Sequence, residues 1–330
     1  MIPLVSIVVP TFRRPDLLDR CLQALACQHF GSMPYEVIVA DDGEDPSVDL
    51  RLQQLELALN RAQHARLRWR CVRPSGAHGP AAARNAGWRA AEAPLIAFTD
   101  DDTVPDREWL REGCRAMRAH PDWVALSGRV VVPAPEGLPS DHALMTQGLE
   151  RAEFVTANAF VRRDALQRID GFDERFRRAW REDSDLQFRL EALGPLGRCE
   201  QAIVLHPVRP APFAISVGQQ RNAFYEALLY AKHPQAYRTR IAPQPPWLYY
   251  LILLCTLGAV ALAAASALGA ALGAAAAALL GVGVFALRRL RRTKRSPEHV
   301  AEMLVTSAVI PYLSIYWRLR GAWHFRTPFF

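Results

Sequence analysis

No C-x-x-C pair occurs among the six cysteines, Cys21, Cys27, Cys71, Cys114, Cys199 and Cys255. The chain therefore has neither the ligand spacing of a structural zinc site nor a disulfide framework, and a reducing compartment fits that usage. Aromatic-rich RNA-binding strings and paired zinc-finger ligands are also missing, which removes the usual nucleic-acid readings of a +7 net charge. The opening "MIPLVSIVVPTFRRPD" lacks a basic leader and a small-residue cleavage site, and it meets charge after about a dozen residues. It is expected to be a strand rather than a signal peptide. The longest absence is of charge itself: 41 consecutive positions, Trp247 to Leu287, contain no charged residue.

As helix, that stretch would extend about 60 Å, roughly twice the hydrocarbon thickness of a bilayer. Two spans, 247–266 and 268–287, joined by a turn near Ser266 to Gly273, account for its length. Gly269 and Gly273 stand at GxxxG spacing, which would let two helices approach closely. Basic residues flank both ends, with Arg238 and Arg240 before and "RRLRRTKR" (Arg288 to Arg295) after. Both flanks are then expected on the cytoplasmic side of a bacterial inner membrane, which a hairpin satisfies and a single span does not. Beyond Pro297, an uncharged core from Met303 to Trp317 contains Pro311 and ends among Tyr316, Arg318 and Arg320. A helix over about 299–318, lying in the interface, is the expectation there.

Residues 1–235 have a different pattern and are expected to form one catalytic domain, with 236–330 as the membrane region. Apolar β-branched runs at Val5–Val9, Glu36–Ala40, Leu67–Val72 and Leu95–Thr99 alternate with segments of helical period. Leu18, Cys21, Leu22 and Leu25 share a helical face behind Asp16, and Val48, Leu52, Leu55 and Leu59 do so behind Ser47, each a candidate cap. Strand–helix alternation implies an α/β fold with a mainly parallel sheet, whose ligands bind outside the carboxyl ends of the strands.

The chemistry-bearing residues fall at those ends. Asp100, Asp101 and Asp102 follow the fourth run; like charges so close repel unless a cation offsets them. Asp100 and Asp102 alternate, so on extended backbone they face one side and suit Mg2+ or Mn2+. Asp106 is a separate candidate cap for a helix carrying Leu110, Cys114 and Met117. Asp41 and Asp42 precede Gly43, either as a base-binding carboxylate or as part of a turn. "GPAAARNAG" (Gly79–Gly87) starts a helix with small residues, and its Arg84 offers a fork to phosphate. Glu182, Asp183 and Asp185 sit where a helix begins, as caps or as a general base. His206 is either a packed histidine or a third metal ligand.

In order and spacing, "VSIVVPTFRRPDLLDRCLQAL", "EVIVADDG", "GPAAARNAG", "LIAFTDDDTVPDREWL", "TANAFVRRDALQRIDGFDERF" and "REDSDLQFRLEALG" resemble glycosyltransferase family 2, whose catalytic domain has the GT-A fold. The resemblance covers about residues 4–210. It implies that Pro10, Thr11 and Asp42 line the nucleobase pocket, with Arg84 and Asp101 near the donor. Asp100 and Asp102 correspond to the D-x-D metal pair, with His206 completing it. Asp183 corresponds to the catalytic base, with Glu182 contacting or orienting the acceptor. Asn158, Arg162 or Arg163, and Asp185 are expected on the acceptor side, Asp185 also as a second candidate base.

The activity that this resemblance implies is that of an inverting, metal-dependent glycosyltransferase. Such an enzyme would carry a sugar from a nucleotide-sugar donor, a UDP-sugar first, to a lipid-linked or membrane-proximal acceptor in cell-envelope glycan assembly. The Q-x-x-R-W string of processive synthases is absent, so single addition is expected. A nucleotidyltransferase and a non-catalytic nucleotide-sugar-binding or scaffold membrane protein use the same residues and remain the alternatives.

Overall fold

A computed structural model describes residues 2–61 and 67–330. The chain divides into two compact units: Met1–Pro133 with Gly148–Val208, and Ala134–Gln147 with Arg209–Phe330.

The first unit is built on an eight-stranded sheet in the order β3-β2-β1-β4-β7-β6-β8-β5. Its strands are β1 (Val5–Thr11), β2 (Tyr35–Asp41), β3 (Leu67–Val72), β4 (Leu95–Phe98), β5 (Val104–Pro105), β6 (Ala125–Val131), β7 (Ala159–Arg162) and β8 (Leu196–Leu205). The four runs expected from sequence are the parallel half, β3-β2-β1-β4. The other half is mixed: β7 runs antiparallel to β4 and β6, β8 is parallel to β6, and β5 is antiparallel to β8.

Buried side chains alternate across the sheet with the period of two that extended backbone imposes. Ile7, Val9, Val37 and Val39 face Leu18, Cys21, Leu22 and Leu25 of α1 (Pro15–Ala26) and Val48 and Leu52 of α2 (Pro46–Arg61). The side chain of Leu59, assigned to that second face, lies outside the described residues. On the opposite face, Val8, Ile38, Ile96 and Phe98 meet Ala81 and Trp88 of α3 (Pro80–Ala90). Gly87 makes this packing possible, because a Cβ there would sit 2.4 Å from Val8 Cγ1.

The expected caps are placed differently. Asp16 lies inside the first turn of α1 and makes no capping bond, since Pro15 already opens the helix. At α2 it is Asp45, not Ser47, that caps, its carboxylate accepting from the Ser47 N–H at 2.9 Å. Asp106 accepts from the Glu108 N–H at 2.9 Å in the turn ahead of α4 (Trp109–Ala119) but makes no side-chain bond to the helix itself, whose N-cap is Glu108.

The second unit is helical. It comprises α5 (Asp141–Gln147), then, beyond α6 (Arg163–Ile169) and α7 (Glu182–Glu191) of the first unit, α8 (Ile215–Gln219), α9 (Ala223–Lys232), α10 (Pro234–Ala236), α11 (Trp247–Ala264), α12 (Leu268–Leu290) and α13 (Pro297–His324). Helices α11, α12 and α13 are each long and apolar enough to cross a membrane. The break between α11 and α12 falls at residues 265–267, where Ser266 adopts φ +62°. The third helix is longer than expected and runs unbroken through Pro311 for 28 residues. Its Tyr312 hydroxyl lies 2.8 Å from Thr256 Oγ1 on α11.

The GxxxG expectation is corrected. A Cβ at Gly269 or Gly273 would meet nothing within 4 Å, whereas one at Gly281 would lie 2.7 Å from Ile252 Cγ1. Close approach of α11 and α12 is thus set midway along α12, where Ile252 is buried, rather than near the turn. Replacing Gly281 by Leu should cost about 1–3 kcal/mol of overpacking and lower the melting temperature of the solubilised protein. Gly273→Leu should leave it unchanged, and equal loss in both variants would contradict this placement.

Candidate active site

Strands β1, β2 and β4 end together, so the residues that follow them share one edge of the sheet. After β2, the buried Asp41 shapes the turn: its oxygens accept from the Gly43 N–H at 2.9 Å and the Asp45 N–H at 2.7 Å. Asp42 points elsewhere and accepts from the Gly79 N–H at 2.9 Å, with His78 Nδ1 at 2.8 Å. His78 is exposed and was not anticipated from sequence.

After β4, Asp100 to Thr103 close a turn in which Thr103 Oγ1 donates to the Asp100 carbonyl at 2.8 Å. Each of its acids has a different partner. Asp100 takes the Arg84 guanidinium at 2.7 Å. Asp101, buried, accepts from Thr11 Oγ1 at 2.8 Å and from Arg14 at 3.2 Å. Burial pushes its carboxyl up to about 6, with Asp102 and Asp100 adding to the rise against Arg14 and Thr11. Asp102 faces His206 Nε2 at 3.6 Å.

The approach of His206 depends on two short pairings. Val104 and Pro105 of β5 pair with Leu205 and Val204 of β8, and the His206 N–H donates to Val131 O at 2.8 Å. Asp100, Asp102 and His206 thereby bring one ligand atom each within 4.8 Å of one another. The residues fit a divalent cation: two carboxylates and an imidazole are its donor set, and His206 Nδ1 is buried with no hydrogen-bond partner.

Helix α7 begins beside this edge. Glu182 and Asp183 lie in its first turn, behind Arg181 at φ +74°. Asp183, half-buried, is fixed by Thr156, whose hydroxyl donates at 2.6 Å and whose N–H donates at 3.1 Å. Glu182 is buried and accepts from Arg84 at 3.2 Å. Burial, then the neighbouring Asp183 charge, pushes the Glu182 carboxyl up to about 8 against the pull of Arg84. Burial also raises Asp183, while Arg84 and the Thr156 hydroxyl oppose that rise.

Arg84, expected near the donor, is here enclosed between two carboxylates. Its side chain is 4% exposed and spans from Asp100 to Glu182. Burial alone would lower its pKa, but the carboxylates of Asp100, Asp183 and Glu182 reverse that and hold it charged. Its neighbour Asn85 is buried too, donating to Phe172 O at 2.9 Å and to Glu174 at 2.8 Å. Helix α3 thus fixes the loop that leads into α7.

The acceptor-side expectations do not hold in this structure. Asn158 is fully buried, accepting from Trp109 Nε1 at 2.8 Å and donating to Ala202 O and Arg129 O at 2.8 and 2.9 Å. Asp185 is fully buried and paired at 2.7 Å with Arg189, which clamps the Gly171 and Ile169 carbonyls, so it is no second base. Arg162 closes on the Trp123 and Met117 carbonyls, and Arg163 bonds to Glu92 O. Sequence reading missed Arg14, Thr156 and His78. Arg14 and Thr156 lie inside the motif strings, but only tertiary packing shows which carboxylate each one serves.

A sheet carrying a D-x-D turn, a histidine beside it and a carboxylate at a helix start is the layout of a GT-A glycosyltransferase domain. Residues 6–178 match the sequence profile of Glycosyl transferase family 2, and residues 95–318 that of Glycosyl transferase family group 2. The chain belongs to glycosyl transferase family 2.

Among curated relatives, validoxylamine A glucosyltransferase of Streptomyces hygroscopicus subsp. limoneus is 30% identical over 229 residues, covering 58% of this chain and 49% of that protein. Pre-mycofactocin glycosyltransferase of Mycobacterium tuberculosis is 31% identical over 252 residues, covering 70% of this chain and 48% of that one. The chain spans about half the length of these relatives. Among solved structures, a mannosyltransferase from Pyrobaculum calidifontis in complex with GDP-Man and Mn2+ aligns with a TM-score of 0.58 at 18% identity, covering 98% of this chain and 88% of that one. This last likeness is one of fold.

Arg84→Met would leave the buried Glu182 and the half-buried Asp100 without their cation, at a cost of about 3–5 kcal/mol in stability. Arg84→Lys should recover part of it, and denaturant unfolding of the three proteins measures both. Thr156→Val removes a donor that favours ionised Asp183, so its pKa moves further up. If ionised Asp183 is the base, the rate falls as pH drops through its titration, and the acid limb of the variant's pH–rate profile should lie at higher pH than that of the wild type.

Proposed function

We propose that the chain is an inverting glycosyltransferase that moves a sugar from a nucleotide-sugar donor to a hydroxyl of a lipid-linked or membrane-proximal acceptor. The observation that carries the reading is the linkage of two groups through Arg84. One is the Asp100, Asp102 and His206 cluster, and the other is the Glu182–Asp183 pair at the start of α7.

In this reaction Asp183 accepts the proton of the acceptor hydroxyl as its oxygen attacks the anomeric carbon. The bond from that carbon to the diphosphate breaks, and a nucleoside diphosphate leaves from the opposite face. Thr156 aims the Asp183 carboxylate through two hydrogen bonds. Glu182, held by Arg84, orients the acceptor. A divalent cation, Mn2+ or Mg2+, held by Asp100, Asp102 and His206 would offset charge developing on the leaving diphosphate. Asp42, Pro10 and Thr11 are assigned to the nucleobase side, with Asp101 shaping the donor pocket through Thr11. A UDP-sugar is the donor to test first; the GDP-Man in the archaeal mannosyltransferase makes a GDP-sugar the second.

The membrane setting supports an acceptor held at the bilayer. Basic residues flank the α11–α12 pair on both sides, which by the positive-inside rule supports a cytoplasmic location for both flanks and for the catalytic unit at a bacterial inner membrane. Cell-envelope glycan assembly is the process that unites such an acceptor with a cytoplasmic donor.

Nucleoside diphosphate release by the purified full chain, across UDP-, GDP- and dTDP-sugars with Mn2+, Mg2+ or chelator, tests the proposal. One donor should give metal-dependent release, and Asp183→Asn should lower the rate about 10²- to 10⁴-fold. Pyrophosphate as the product would instead assign a nucleotidyltransferase. An unchanged rate in Asp183→Asn would remove its catalytic role.

A further inference from the structure

From Ala227 to Pro297 the chain contains no aspartate or glutamate in 71 positions, yet nine Lys and Arg, six of them between Arg288 and Arg295. The structure sorts those six into two kinds. Arg289 turns inward at 10% exposure and pairs with Asp141 at 2.7 Å. It also donates to the hydroxyls of Thr306 at 2.6 Å and of Ser307 and Ser216 at 3.1 Å.

One helical turn later, Thr293 is fully buried and donates to Arg289 O at 3.0 Å, and the Lys294 N–H donates to Pro139 O at 2.9 Å. The segment is therefore pinned at several points. Arg288, Arg291, Arg292, Lys294 and Arg295 all point into solvent. Among the described residues, none of these five has a carboxylate partner or a side-chain hydrogen bond.

Five like charges within eight positions repel one another, and among the described residues no carboxylate pairs with them, whereas Asp141 pairs with Arg289. An external anionic surface would do so. The position of the segment selects which one. It joins α12 to α13, both long and apolar enough to span a bilayer, so the charges stand within about one Debye length of the headgroups when those helices are inserted.

We propose that residues 288–295 form a fixed docking surface for anionic phospholipid headgroups. The inference rests on α12 lying in a bilayer and is independent of the glycosyl-transfer reading. Its recognition chemistry is that of Arg and Lys with a phosphodiester, contributed by several lipids at once.

The test uses the full chain purified in neutral detergent and equilibrated with equal amounts of phosphatidylglycerol and phosphatidylcholine, with retained lipid counted by mass spectrometry. The wild type should retain phosphatidylglycerol in preference by at least about tenfold, and the preference should fall steeply with added salt. R288Q/R291Q/R292Q/K294Q/R295Q should bring the ratio close to one. The same five positions as Lys throughout should keep it, which separates loss of charge from loss of folding. A wild-type ratio near one, or one indifferent to salt, would overturn the proposal. Displacement of the lipid by millimolar glycerol phosphate would reassign the site to free phosphate. Displacement by a single-stranded DNA oligomer at lower concentration than phosphatidylglycerol requires would reassign it to nucleic acid.

Discussion

Arg84, buried between Asp100 and Glu182, is the contact on which the site depends. Five carboxylates, Asp100, Asp101, Asp102, Glu182 and Asp183, converge on one edge of the sheet, where the Arg84 guanidinium pairs with Asp100 and Glu182 and the half-exposed Arg14 pairs with Asp101. In a low-dielectric setting such a cluster is costly unless cations balance it. Burial raises the Glu182 and Asp183 carboxyls, and neighbouring carboxylates add to the rise. One guanidinium thus ties the Asp100, Asp102 and His206 group to the start of α7, and a divalent cation at those three residues would offset more of the negative charge.

Much of the surrounding architecture serves that placement. Gly87 lets α3 lie against Val8, which brings Arg84 under the turn after β4. Asn85, next to it, fixes the backbone at Phe172 and so the entry to α7. On the far side, the two-residue β5 joins β8 and carries His206 to Asp102. The second unit follows the same logic at Arg289, whose charge is matched by Asp141 while the cations around it stay outward.

The parallel half of the fold was legible because its strands are buried on both faces and are written as uninterrupted apolar runs. Strands β6 and β8 were not, since Gly128, Arg129 and the polar residues of "LGRCEQAIVL" interrupt the apolar pattern. The candidate site was legible as a set of acids at strand ends, but the partner of each acid was not. Nothing in "TANAF" distinguishes Thr156, which serves Asp183, from Asn158, which serves the core. The sequence places Arg84 at a helix start near the donor side but does not show that its guanidinium is enclosed between Asp100 and Glu182. The small-residue spacing at Gly269 and Gly273 misled for a related reason: a GxxxG string permits close packing, and only the bend at Ser266 decides which glycine meets the neighbouring helix.

Activity of the site requires that Asp100, Asp102 and His206 hold a cation together. The most direct measurement is a crystal structure of the full chain with Mn2+ and UDP, located by anomalous scattering. A single manganese peak within about 2.5 Å of an oxygen of Asp100, an oxygen of Asp102 and a ring nitrogen of His206 is the predicted result. A peak bound elsewhere, or diphosphate bound with no manganese at these three residues, would contradict it.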